Sequence, residues 1–182
     1  MFLYSKTFIH KNRTCKVIAL ISLLLGGFSF ALGNVDFIAL PVVAQAIGVL
    51  LISTSIYMAT AFLLRQYSVS IDKNSASEGD VKELYDLIIK EQKGKKVQKV
   101  CHVGLANIFS VELYDASKKS ERREEKKRWQ AENGGLRYIY DTRFSAGQRI
   151  VVRCDVGDHR CSIYICFDES LYRILSETIT KQ

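Results

Sequence analysis

Apolar and polar positions alternate along this chain in three different rhythms. Two early runs, Val17–Leu32 and Phe37–Leu64, contain no charged side chain. A helix rises about 1.5 Å per residue, so a hydrocarbon core of about 30 Å needs about 20 apolar residues. Val17–Leu32 offers 16, and spans only if Thr14, Cys15 and Gly33 contribute and Lys16 snorkels to the headgroups. Phe37–Leu64 offers 28, more than enough. Its polar residues are Gln45 and the hydroxyls Ser53, Thr54, Ser55 and Thr60, which bond back to their own helix at little cost. Pro41, the single proline, suits a helix start, where its missing amide has no partner to lose. Gly33-Asn34-Val35-Asp36 supplies turn residues between the runs. The pattern predicts a helical hairpin over residues 17–65, its small residues Gly26, Gly27, Ala31, Ala44, Ala46 and Gly48 suiting close packing in lipid.

Beyond Gln66 the rhythm changes to period two. Tyr67–Ile71 reads as a half-buried strand and Asp72–Asp80 as a polar loop. Val81–Glu91 fits both a helical stripe and a strand running into the Lys93-Gly94-Lys95 turn. Val97–Val103 alternates again, which favours a hairpin across Gly94. Leu105–Tyr114 continues extended, with Ala106–Val111 as its centre. Leu136–Phe144, Arg149–Asp155 and Cys161–Phe167 are β-rich runs joined by short turns, and predict an antiparallel meander. From Asp168 to Ile179 the period becomes helical. An acid-rich start precedes Leu171, Tyr172, Ile174, Leu175 and Ile179 on one face.

Charge refines this picture. The net charge is +7, in 182 residues. Residues 1–16 hold Lys6, Lys11, Arg13 and Lys16 and no acid, whereas residues 65–182 hold 22 basic and 18 acidic side chains. So balanced a domain lacks the dense basic face of a nucleic-acid binder. Basic residues flank the hairpin on both outer sides and its connector carries only Asp36, so both termini are expected in the cytoplasm. Three regions follow: a basic N-terminal segment 1–16, a transmembrane hairpin 17–65 and a cytoplasmic domain 66–182. A rival reading makes the first run a secretory signal cut near Ala31-Leu32-Gly33. The second run then anchors the chain alone, with the large domain still cytoplasmic.

The strand-like runs Tyr67–Ile71, Tyr138–Tyr140, Ile150–Val152 and Ile163–Ile165, closed by a helix at Asp168–Ile179, resemble in order the pleckstrin-homology-like sandwich or barrel. With two membrane helices ahead of them, they resemble bacterial membrane-anchored proteins that carry such a domain. The resemblance covers nearly the whole chain in order of elements but rests on no residue signature for a phosphoinositide headgroup. It implies an α+β, mainly antiparallel β fold and a binding or scaffolding module, not an enzyme.

Candidate chemistry is sparse. Ala116–Asn133 concentrates Lys118, Lys119, Arg122, Arg123, Lys126, Lys127 and Arg128 against Glu121, Glu124, Glu125 and Glu132. It reads either as a solvated helix laced with pairs such as Glu124–Arg128, or as a contact for an anionic membrane with Trp129 as interfacial anchor. One aromatic offers no stacking platform for nucleic acid. Lys93, Lys95 and Lys96 form a second basic patch on the hairpin tip. Cys154, His159, Cys161 and Cys166 have the residue types of a zinc site. Their spacing straddles a hairpin, and Cys161 and Cys166 lie an odd number apart, so buried thiols are expected. His102 in a strand and His159 beside Asp158 lack a nucleophile or paired carboxylate at catalytic spacing. The Gly26-Gly27 and Gly134-Gly135 pairs are not phosphate loops. The expectation is a non-enzymatic membrane-tethered module without cofactor, metal, small-molecule substrate or nucleic acid. Its partner is the lipid surface, a protein or a second copy, and the alternative is a small accessory subunit of a larger membrane complex.

Overall fold

The computed structural model describes residues 2–9, 12–35, 40–73, 85–131, 135–143 and 147–180. Two compact units emerge, both discontinuous in sequence: residues 1–9, 66–141 and 145–182 form the first, residues 10–65 and 142–144 the second.

The second unit is the helical hairpin. Helix α1 spans Arg13–Leu32 and α2 spans Pro41–Met58, continued by one π-type turn over Ala59–Leu63. Both are long and apolar enough to cross a membrane. Pro41 stands at the helix start, as expected. The backbones touch through glycines: a Cβ on Gly48 would meet the Phe30 amide at 2.7 Å and the Gly26 carbonyl at 2.8 Å. Ser29 donates to the Ala44 carbonyl at 2.8 Å and Ser55 to the Ala19 carbonyl at 2.7 Å. Gln45 donates to the Gly33 carbonyl, so this lone amide is satisfied by the neighbouring helix. Gly27 faces away, with nothing near its Cβ position. At the open end, the Asn12 amide donates to the Phe62 carbonyl at 2.7 Å.

The first unit packs two four-stranded sheets into an α+β sandwich. Its strands are β1 Phe2–Phe8, β2 Arg65–Lys73, β3 Tyr85–Lys93, β4 Lys96–Gly104, β5 Ile108–Asp115, β6 Leu136–Tyr140, β7 Gln148–Val156 and β8 His159–Cys166. One sheet runs β1-β2-β3-β4 and the other β5-β7-β8-β6. The residues read as a basic N-terminal segment thus carry strand β1 and the first turn of α1. Tyr4 and Phe8 face the core, and Lys6 between them reaches Asp168. Val69, Ile71, Leu87, Ile89 and Val103 from one sheet meet Ile150, Val152, Cys154, Cys161, Ile163 and Ile165 from the other. Helix α4, Glu169–Thr180, adds Leu171 and Leu175.

The hairpin across Gly94 forms as read, with Lys93 opposite Lys96 and Gly94 at φ +59°, a backbone that favours glycine. Two expectations change. Leu105–Asn107 is a 3₁₀ turn, so the strand starts only at Ile108. The back half is no simple meander: β7 and β8 pair antiparallel, but β6 lies parallel beside β8. The other flank of β7 is taken by β5, which leaves β6 only the free edge of β8. Of Asp72–Asp80, residues 74–80 lie outside the described residues, as do 81–84 of the ambiguous run. From Tyr85 that run is strand.

Candidate functional site

The basic stretch folds as α3, Lys119–Ala131. Asp115 starts it with an Asx turn, its carboxylate accepting from the Ser117 amide at 2.9 Å. Glu121 reaches back to accept from the Asp115 amide at 2.6 Å and from Lys118 at 3.0 Å. Those bonds, the amide first, hold the Glu121 carboxyl below its ordinary value. Glu, Lys, Arg and Gln are strong helix formers, yet the sequence offers no apolar stripe to dock the helix.

The structure docks it through charge. Glu125, 6% exposed, is the buried residue of α3. Its carboxylate accepts two bonds from Arg153, at 2.9 and 3.2 Å, and one from the Tyr164 hydroxyl. Arg153, 4% exposed, also donates to Ser162 at 3.2 Å. Burial and then the bond to Glu125 push the Tyr164 hydroxyl far above its ordinary value, so it stays a donor. Tyr114 meets Tyr164 edge to face and Arg137 stacks over its ring at 4.3 Å. Arg153, Ser162 and Tyr164 occupy the outer face of the second sheet, because alternation along β7 and β8 gives the inner face to Val152, Cys154, Cys161 and Ile163.

This docking sorts the charges. At about 100° per residue, Arg122, Lys126, Lys119, Arg123 and Lys127 fall on one arc of about 140°, centred about 130° around the helix from Glu125. No carboxylate lies within that arc, and all five side chains are exposed. None has an acidic partner among the described residues. Lys118 is paired with Glu121, Arg128 with Glu112 on β5. Trp129, the expected anchor, is 36% exposed and donates its indole N–H to the Gly135 carbonyl at 2.8 Å. The second patch sits on the other sheet, with Lys93 3.7 Å from Glu91 and Lys95 and Lys96 exposed at the turn.

The remaining candidates lie elsewhere in the β unit. Cys154 and Cys161 are cross-strand partners in the core. Burial pushes the Cys101 thiol up to about 11 and the Cys154 thiol up to about 12, so both stay protonated and unreactive. Among the described residues no group of three or more His, Cys, Asp or Glu side chains is placed to hold a metal ion. His159 stands at the turn between β7 and β8. His102 lies 2.7 Å from the Asp86 carboxylate; counting out from Gly94 sets His102 opposite Leu87, and only the register shift between Ile89 and Lys90 moves it opposite Ile88, on the face that Asp86 shares. In the sequence pattern Asp168 marks only a helix start. It caps α4 through the Leu171 amide and also accepts from Tyr4 at 3.0 Å and from Lys6.

Comparison with family models, curated proteins and solved structures gives no match.

Proposed function

We propose that this chain is a non-enzymatic interaction module tethered in a membrane by its helical hairpin, with both ends in the cytoplasm. Its β sandwich is of pleckstrin-homology-like type and contacts the anionic lipid surface through the outer arc of α3. The observation that carries this reading is the sorting of charge on that helix. Sequence counting lets Glu121, Glu124, Glu125 and Glu132 cancel about half of the basic charge. The fold turns Glu125 inward and pairs Glu121 with Lys118, which leaves on one exposed face five cations without an acidic partner among the described residues. Each cation close to an anionic bilayer contributes about 1 kcal/mol. A tether raises the local concentration of lipid headgroups, so a modest intrinsic affinity suffices. The absence of charge from the runs Val17–Leu32 and Phe37–Leu64 and the basic residues before the first and after the second support the topology. So does the pairing of β1 with β2, the strands on either side of the hairpin.

The test uses the full chain in lipid nanodiscs, with a spin label at Gln130→Cys on the basic arc. Anionic lipid is expected to immobilise the label and shield it from aqueous quencher, and high salt to release it. Replacing Lys119, Arg122, Arg123 and Lys126 by Glu is expected to abolish the response. A label indifferent to lipid charge defeats the lipid contact. Stoichiometric co-purification of a membrane partner by the same variant favours the accessory-subunit reading instead.

A further inference from the structure

Strand β1 belongs to the sandwich, yet the entire hairpin separates it in sequence from its neighbour β2. The pairing is specific: Tyr4 stands opposite Ile71, Thr7 opposite Ser68 and Phe8 opposite Tyr67. Phe8 is buried in the core and Tyr4 packs against it. Tyr4 and Lys6 both end on Asp168, whose carboxylate also caps α4. One strand therefore closes the edge of the first sheet and ties that edge to the last helix. Without it, β2 presents unpaired backbone groups along a full strand, and the core beside Val69 and Ile71 opens.

The chain leaves the sandwich after β1 and returns at β2. If the hairpin crosses a bilayer, these strands meet only when both of its ends lie on one side. A single crossing strands β1 on the far side, and a cut after Gly33 detaches it. We propose that β1 is a topology lock: the sandwich completes only in chains whose hairpin has inserted with both ends on one side and remains uncut. Folding of the β unit is thereby coupled to correct membrane insertion. The inference rests on the membrane-spanning reading of the hairpin and adds that the segment before it is kept.

The full chain in isolated membranes tests it. Thr7→Cys with Ser68→Cys places a thiol pair across the β1–β2 ladder, and a site-specific protease sequence is inserted after Asn34. Oxidation followed by cutting is expected to leave two fragments joined by a reducible bond. A second variant, Leu24→Lys with Leu25→Lys, keeps α1 out of the bilayer and leaves both β1 and residues 65–182 untouched. A third deletes residues 2–9 and keeps the hairpin. Both are expected to lose protection of the β unit against added protease by about tenfold or more, since cleavage follows the population of the open form. Absence of the cross-link, a mature N-terminus after Gly33, or full protection in the deletion variant overturns the lock. Carbonate extraction separates the two claims. A chain released from membranes by carbonate defeats the membrane reading itself, whereas a chain retained without the cross-link defeats only the lock.

Discussion

At the scale of single residues, the Glu125–Arg153 pair decides how α3 presents itself. Two buried charges cost desolvation that their attraction repays only when every donor and acceptor is used. Here the Glu125 carboxylate takes Arg153 and Tyr164, and Arg153 also uses Ser162. Glu125→Ala leaves a buried guanidinium without its carboxylate and is expected to cost about 3 kcal/mol. Adding Arg153→Met removes the orphaned charge and is expected to recover more than half of that loss. Thermal unfolding of the purified chain checks both, and equal losses in the single and double variants refute the pairing argument. Asp168 gives a pH prediction. Burial raises its carboxyl, but Lys6, the Leu171 amide and Tyr4 outweigh burial and hold it below the ordinary 3.8. A lowered folded value stabilises at neutral pH, and that contribution fades as pH falls through it. The melting temperature is therefore expected to drop as pH falls below the ordinary carboxyl value, and Asp168→Asn to flatten that part of the profile. An unchanged profile in the variant removes Asp168 from the account. The Glu125–Arg153, Glu125–Tyr164, Tyr4–Asp168 and Lys6–Asp168 partnerships were not legible in sequence, because each joins residues at least 28 apart on elements whose register the pattern leaves open. The cations of α3 were legible as a run, but not the direction they face.

At the scale of elements, periodicity located what periodicity controls. The two long helices, the β3–β4 hairpin, the β7–β8 pair and α4 follow from apolar spacing and turn residues, since each buries one face of a regular element. Misplaced elements are those whose position depends on an occupied neighbour. Strand β6 was expected next to β7 by sequence adjacency, but β5 holds that edge. Strand β1 resembles the basic leader of a membrane segment because Lys6 sits between Tyr4 and Phe8, and its function as a sandwich edge shows only once β2 is beside it. Within the hairpin, composition named six small residues without saying which touch. The structure separates Gly48, whose Cβ would strike backbone atoms of α1, from Gly27, which faces open space. Overpacking a tight contact costs about 1–3 kcal/mol. Gly48→Leu is expected to separate the helices by about that much, read as lower resistance of the purified chain to reversible unfolding in mixed micelles. Gly27→Leu is expected to leave it unchanged. Equal effects from both substitutions exclude glycine-mediated packing.

At the scale of the whole chain, the sandwich is written in two pieces, and this sets what can be excised. A fragment beginning at Gln66 looks like the natural soluble domain, because the period-two pattern starts there. It lacks β1, so it exposes the β2 edge and leaves Asp168 without Tyr4 and Lys6. The register shows a better excision. Phe8 stands opposite Tyr67 in an antiparallel ladder, which brings Ile9 and Gln66 to the mouth of a two-residue turn. Asn-Gly adopts the positive φ angles that such a turn requires and matches the twist of its flanking strands. Replacing residues 10–65 by Asn-Gly therefore converts the β1–β2 pair from a contact across a 56-residue insertion into a local hairpin. It also shortens the loop that folding must close. The joined chain is expected to be soluble and to unfold cooperatively, with slow amide exchange along residues 67–71. The fragment 66–182 is expected to melt lower, exchange faster on that strand and aggregate through its open edge. If both behave alike, β1 adds nothing to the sandwich, and its Tyr4 and Lys6 contacts with Asp168 carry no stability.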